Sequence, residues 1–300
     1  MVEIRSRLRR LVVTRRASQL AAALLANGYL PGFLKGTIYQ GPVKHFCVPF
    51  LNCYSCPGAL AACPVGSFQA ILAAPGHAVS LYVTGLLTVT GAVWGRAVCG
   101  WLCPFGLVQE LLARRRAAGA RFPRALLSLK YGVLVLTVTL PAIWLGAGGV
   151  GAPYFCKYLC PAGTLEAGLL LGLRDPALRP LLGTLFAWKV ALLAAFLVLM
   201  TVIFRPFCRT LCPLGAFYGL FNGLSLWRLH LDARRCNRCG ACRRICPLQI
   251  RVDEEPNHRE CTRCLECTRV CPTGALRFGL TGGREAGGAR PVHGMRAGKD

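Results

Sequence analysis

A chain of 300 residues with 54% apolar content, only 16% charged residues and a positive mean hydropathy is too apolar for an ordinary soluble domain and reads as a multi-pass membrane protein. The net charge of +24 would suggest a nucleic-acid partner in a soluble chain, but here the basic residues fall between apolar segments, so no nucleic acid is expected. Eighteen cysteines point to thiolate chemistry.

In chain order, residues 1–16 form a basic leader carrying Arg5, Arg7, Arg9, Arg10, Arg15 and Arg16. It looks like a signal-peptide n-region, but no A-x-A-like cleavage site follows at a suitable place, so a retained anchor is expected. Four spans follow at about 17–36, 78–96, 130–150 and 182–204, each near the ~20 residues that cross the hydrocarbon core. Asn27, Gly28 and Pro31 interrupt the first. Lys/Arg residues crowd the leader, the stretch Arg96 to Lys130 and everything beyond the fourth span, and are sparse at 37–77 and 151–181. By the positive-inside rule both termini are cytoplasmic and the two sparse stretches face outward. The expected localisation is therefore the cytoplasmic (inner) membrane.

A cysteine repeat punctuates this layout. Arg96-x-x-Cys99-x-x-Leu102-Cys103-Pro104-x-Gly106 matches Arg205-x-x-Cys208-x-x-Leu211-Cys212-Pro213-x-Gly215. A third copy is Cys156-x-x-Leu159-Cys160-Pro161-x-Gly163, and a fourth keeps only Cys63-Pro64-x-Gly66, with Ala59 where its first cysteine would stand. Each C-P-x-G opens a short apolar stretch (64–74, 104–114, 161–172, 213–223), expected as an interfacial helix with proline at its first position and cysteine at its cap. There the unpaired N–H groups and positive dipole end favour a thiolate and an anionic cluster. The copies divide the spans into two parallel halves related by a pseudo-two-fold axis along the membrane normal. Such an axis gathers Cys99, Cys103, Cys208 and Cys212 at the inner surface, one cubane's worth of ligands. It also brings Cys156 and Cys160 toward the outward loop with Cys47, Cys53, Cys56 and Cys63. The expected outer ligands are Cys156, Cys160, Cys63 and one of Cys53 or Cys56, with three disulfides as the competing reading in an oxidising space. Lys189, inside the fourth span, is the candidate cofactor-binding residue: it either contacts a quinone or snorkels to the outer interface.

The last third carries C-x-x-C-x-x-C-x-x-x-C-P twice, at Cys236, Cys239, Cys242, Cys246 and at Cys261, Cys264, Cys267, Cys271. This is the bacterial ferredoxin spacing for two 4Fe-4S clusters, in which the fourth cysteine of each run serves the other cluster. Cys236, Cys239, Cys242 and Cys271 are assigned to one, and Cys261, Cys264, Cys267 and Cys246 to the other. Structural zinc and disulfides leave the doubled three-plus-one spacing unexplained. Arg234, Arg235, Arg238, Arg243 and Arg244 beside the first motif suit anionic lipid or an acidic redox partner. The expected fold is thus an all-α polytopic membrane domain (17–227, four spans in two parallel repeats with short interfacial helices), followed by a small α+β ferredoxin domain (228–280) and a disordered tail (281–300).

The basic leader, four spans, paired C-x-x-x-C-P motifs and terminal double-cluster ferredoxin resemble the NapH/NosR-type membrane polyferredoxins over residues 1–280. The resemblance implies electron passage between cytoplasmic clusters, the quinone pool and an outside partner such as a haem- or flavin-bearing subunit. The cysteine-rich loop 52–66 and the motif at Cys156/Cys160 depart from the simpler quinol-dehydrogenase pattern of that family. No C-x-x-C-H or G-x-G-x-x-G is present, so terminal chemistry belongs to another subunit. Three functions follow as expectations: an electron-transfer subunit with clusters on both faces, a quinol dehydrogenase, or a maturation or regulatory thiol protein for an outside metalloenzyme. An outer site would lie a hydrocarbon core of ~30 Å from the inner one, unless re-entrant helices shorten the gap or a quinone or haem bridges it.

Overall fold

The computed structural model describes residues 2–74, 80–113, 122–139, 152–174, 176, 180 and 182–281. The fold is mostly helical and ends in a ferredoxin-type module. Helix α1 (Val2–Ala26) is continuous from the second residue, so the basic stretch expected as a leader forms its first turns. It stops at Asn27, whose side-chain amide donates to the Ala23 backbone carbonyl and to the side-chain Oδ1 of Asn52. The loop 52–63 docks at this break, with Leu60 N–H on Ala26 O and Tyr29 N–H on Gly58 O. Backbone groups freed by the interruption are thereby satisfied. The expected first span therefore divides into α1 and the short α2 (Leu30–Lys35).

Beyond the cysteine loop come α3 (Pro64–Ala73), α4 (Leu81–Trp94), α5 (Ala97–Trp101) and α6 (Pro104–Leu112). Helix α7 (Arg124–Val133) runs on into a π-helical stretch, Leu134–Thr139. After the π turn Phe155–Leu159, a composite helix α8 is built from Pro161–Gly163, Thr164–Gly168 and Leu169–Arg174. Helices α9 (Thr184–Val202), α10 (Pro206–Thr210) and α11 (Pro213–Phe221) complete the helical body.

The four-span expectation meets a shorter reality. Among the described residues only α9 is long and apolar enough to cross a membrane. Helix α4 has 14 residues, about 21 Å at 1.5 Å per residue, short of the ~30 Å core. It begins where the Ser80 hydroxyl accepts the Val83 N–H and ends at Gly95, at a φ of +51°. Residues 75–79 and 140–151, parts of the expected second and third spans, lie outside the described residues, as do residues 282–300 of the expected tail. Large apolar side chains nonetheless face outward on several helices: Leu24 and Leu25 on α1, Leu81 and Val89 on α4, Leu136 on the π-helical stretch, Trp188 and Val198 on α9. Only 17% of the most apolar window of α9 is buried.

The module begins with β1 (Trp227–Leu231) and closes with β2 (Leu276–Leu280), paired antiparallel from Trp227↔Leu280 to Leu231↔Leu276. Between them lie α12 (Ala241–Ile245) and α13 (Glu266–Val270). The doubled motif is doubled in backbone too. Arg238 and Arg263, and Gly240 and Leu265, occupy matched places within the two motifs, Gln249 and Gly274 matched places just after them, and all six have positive φ.

Candidate metal centres

In all four C-P-x-G copies the cysteine is the helix N-cap and the proline follows at the first helical position. Proline has no N–H to leave unpaired there. In three copies the cap is closed by the sulfur: Gly106, Gly163 and Gly215 N–H donate to Sγ of Cys103, Cys160 and Cys212 at 3.4, 3.3 and 3.4 Å. The glycine is required for a second reason. A β-carbon at Gly106 would lie 3.0 Å from the Cys99 carbonyl oxygen, and one at Gly215 would lie 2.9 Å from that of Cys208.

Cys99, Cys103, Cys208 and Cys212 are all buried in one core. The Cys212 thiol hydrogen-bonds Cys208, whose sulfur also accepts from Gln109 Nε2 at 2.9 Å. Those bonds, with Arg205 and Arg96 nearby, overcome burial and bring Cys208 down to about 6. Burial pushes Cys99 and Cys103 up, and the bond to Cys208 does the same to Cys212. The two halves hold each other by exchanged arginines. Arg96 Nη2 donates to the Cys208 carbonyl at 3.2 Å, and Arg205 Nη1 to the Cys99 carbonyl at 2.7 Å. Each arginine ends on a buried carboxylate that carries a second cation: Arg205 on Glu110 with Arg15, and Arg96 on Glu260 with Lys130. Four thiols, sulfur-directed N–H groups and two guanidiniums make a donor set that fits an anionic 4Fe-4S cluster.

The structure gathers a second set around a cavity of about 450 Å³ lined by Cys53, Cys63, Cys156 and Cys160. Of the pair left open in sequence, Cys53 joins and Cys56 sits apart, buried in its own turn near Lys44. Cys47 is bonded to Ser67 at 3.4 Å. All eighteen cysteines are free thiols. Glu166 accepts the Cys53 N–H at 2.7 Å, and burial lifts its carboxyl to about 7. Lys189 lines the same cavity and donates to the Cys156 carbonyl at 3.2 Å.

In the module, Cys246, Cys261, Cys264 and Cys267 line one small cavity, the crossed set assigned from the spacing. Cys242 lies within electrostatic reach of Cys236, Cys239 is exposed, and Cys271 faces the Thr273 hydroxyl at 3.6 Å. The five arginines nearby are exposed, though Arg243 is held by Asp253 and Glu254 and Arg235 by Asp232. Among the described residues no three His, Cys, Asp or Glu side chains close on a point as the ligands of one metal ion would. A zinc site needs such closure at about 2.3 Å per sulfur, whereas a cubane takes one thiolate at each of its separate irons.

A 4Fe-4S binding-domain model matches residues 76–123, 131–174 and 184–231, and a second 4Fe-4S binding-domain model matches 255–277. An uncharacterized protein of Methanocaldococcus jannaschii is 32% identical over 65% of this chain and 70% of its own length. The methylamine utilization ferredoxin-type protein MauN of Methylorubrum extorquens is 34% identical over 51% of this chain and 48% of its own. For the ferredoxin-type protein NapH of Haemophilus influenzae the figures are 29%, 60% and 58%. The chain belongs to the NapH-like 4Fe-4S polyferredoxins. Its cofactors are 4Fe-4S clusters. The chain spans about half to seven-tenths of these relatives. No solved structure matches it.

Several contributors were invisible to sequence reasoning. Glu110 and Gln109 carried a signal, being polar side chains in an apolar stretch. Glu166 carried the same signal in 161–172, whereas Glu260 and Tyr218 carried none, because their importance lies wholly in distant partners.

Proposed function

We propose that this polyferredoxin is a membrane-bound electron relay with four thiolate sites in a fixed order. The first is Cys236/Cys239/Cys242/Cys271, the second Cys246/Cys261/Cys264/Cys267, the third Cys99/Cys103/Cys208/Cys212 and the fourth Cys53/Cys63/Cys156/Cys160. When bound, a 4Fe-4S cluster at each supplies one-electron storage. The observation that carries the reading is the contact of Thr262, next to Cys261, with Gly100, next to Cys99: a β-carbon at Gly100 would lie 2.2 Å from the Thr262 carbonyl oxygen. Ligands of the second and third sites are thus joined through two touching peptides. The exposed Cys239 and its arginines suit entry of electrons from an acidic cytoplasmic donor.

Passage onward is favoured by Tyr218. It is fully buried in the core that holds both inner and outer cysteines, its hydroxyl donates to the Pro49 carbonyl at 2.7 Å, and its phenol feels the thiols of Cys99, Cys103, Cys212 and Cys63. Through its bond to Pro49 the segment leading into the cysteine loop is tied to α11, the helix that Cys212 caps, which supports a separation shorter than the ~30 Å of a bilayer core. Outward-facing Leu, Val and Trp on α1, α4 and α9 suit lipid contact, with the outside partner a haem- or flavin-bearing subunit.

A second reading, quinol oxidation, is favoured by the fourth-site cavity, whose wall adds Leu51, Leu171, Leu182, Phe186 and Lys189 to the thiols. Iron and sulfide counts on anaerobically purified full chain test the relay. About sixteen irons are expected, falling by about four in Cys160→Ser and in Cys212→Ser. About twelve, unchanged in Cys160→Ser, would reject the fourth site and favour a thiol role in maturation. Reduction of the clusters by added quinol in membranes, lost in Lys189→Ala, would decide for the dehydrogenase.

A further inference from the structure

The two halves differ at a place where the symmetry of the third site calls for a carboxylate in each. Glu110 sits seven residues after Cys103 and neutralises Arg205; the matching position after Cys212 is Gly219. Among the described residues no carboxylate of the second half answers Arg96. Instead the module supplies one: Glu260 Oε2 lies 2.9 Å from Arg96 Nη1, and Glu260 Oε1 pairs with Lys130. The absent side chain at Gly219 makes room for the donor segment, since a β-carbon there would lie 3.0 Å from the Arg259 carbonyl oxygen, which itself accepts from Arg96 Nη1 at 2.9 Å. Both carboxylates are buried, at 4% exposure each, and so are both arginines.

From this broken symmetry we infer that Glu260 and Gly219 form the docking lock that seats the ferredoxin module on the helical body, Glu260 standing in for the carboxylate the second half lacks. The lock holds the segment His258–Arg263 against α4, α5 and α11. Asn222 donates to the His258 and Cys261 carbonyls at 3.0 and 2.8 Å. Arg263 donates to Trp94 O at 2.7 Å and Asn222 O at 2.7 Å, and Trp101 donates to Arg263 O at 2.9 Å. Glu260 precedes Cys261 directly, so the lock fixes where the second site meets the third. It is a positioning residue, and its role deepens the relay reading while resting on geometry independent of it. Removing one member of a buried charge group leaves the others uncompensated, which is costly. A glutamate at 219 would both offer a rival carboxylate to Arg96 and collide with the Arg259 carbonyl.

The test is hydrogen exchange of the full-length protein in detergent or nanodiscs, comparing wild type, Glu260→Gln and Gly219→Glu. Amides of 258–263 are expected to be strongly protected in wild type and to exchange roughly a hundredfold faster in both variants. Exchange in β1 and β2, and iron held by the module, should stay at wild-type levels. Should Gly219→Glu fail to accumulate, Glu260→Gln decides alone. Unprotected 258–263 amides in wild type, or protection unaltered in Glu260→Gln, would overturn the lock. Neither result depends on the iron count, so failure of the lock and failure of the relay are distinguishable.

Discussion

Gly106 and Gly215 show how much of a cluster site rests on a residue without a side chain. Each leaves space for the carbonyl of the cysteine that begins its own motif, and that carbonyl is the one gripped by the arginine of the other half. Gly215→Ala, with its β-carbon 2.9 Å from the Cys208 oxygen, should destabilise the third site by about 1–3 kcal/mol through overpacking; loss of about four irons with the module's clusters retained is the expected readout. In the module Gly274 sits at a φ of +63° with open space around its missing β-carbon. Gly274→Ala should therefore cost about 1–2 kcal/mol from backbone strain alone, read as a shift in the denaturation midpoint. The motifs that hold the proposed ligands are legible in the sequence, because their spacing is local. Their supporting residues are not: Arg205 meets Glu110 across 95 positions and Tyr218 meets Pro49 across 169, distances at which no local pattern operates.

At the level of elements, the C-P-x-G helices were readable since proline, cap and glycine each act within one turn. Span lengths were less so. Hydropathy runs through Ser80 and Gly95 without notice, whereas the Ser80 hydroxyl starts α4 and the left-handed Gly95 stops it. Ser80→Ala should cost about 0.5–2 kcal/mol, seen as faster amide exchange in the first turn of α4. The sequence places Arg15 in a basic cytoplasmic leader. Arg15 is in fact 3% exposed and pairs with Glu110 at 2.8 Å, so α1 serves as a wall of the third site. Arg205→Met removes one cation from this buried Arg15–Glu110–Arg205 group and should cost about 3–5 kcal/mol. Arg205→Lys should recover little of it, because an ammonium cannot reach both the Cys99 carbonyl and the Glu110 carboxylate as the planar fork does.

Across the whole molecule, the parallel repeat and the doubled ferredoxin motif meet through one segment, His258–Arg263. Both parts are legible from their internal periodicities, but nothing local speaks of their contact, which depends on the departure at Gly219 and on Thr262 lying over Gly100. On the relay proposed above, that contact joins the module's thiolate sites to the third. The most direct measurement is electron paramagnetic resonance of the fully reduced, anaerobically purified protein, compared with the Cys212→Ser variant. The account predicts added spin coupling in the wild type that disappears in the variant, leaving the spectrum of the module's pair of clusters together with that of a magnetically isolated fourth-site cluster. A wild-type spectrum already identical to that of the variant would contradict it.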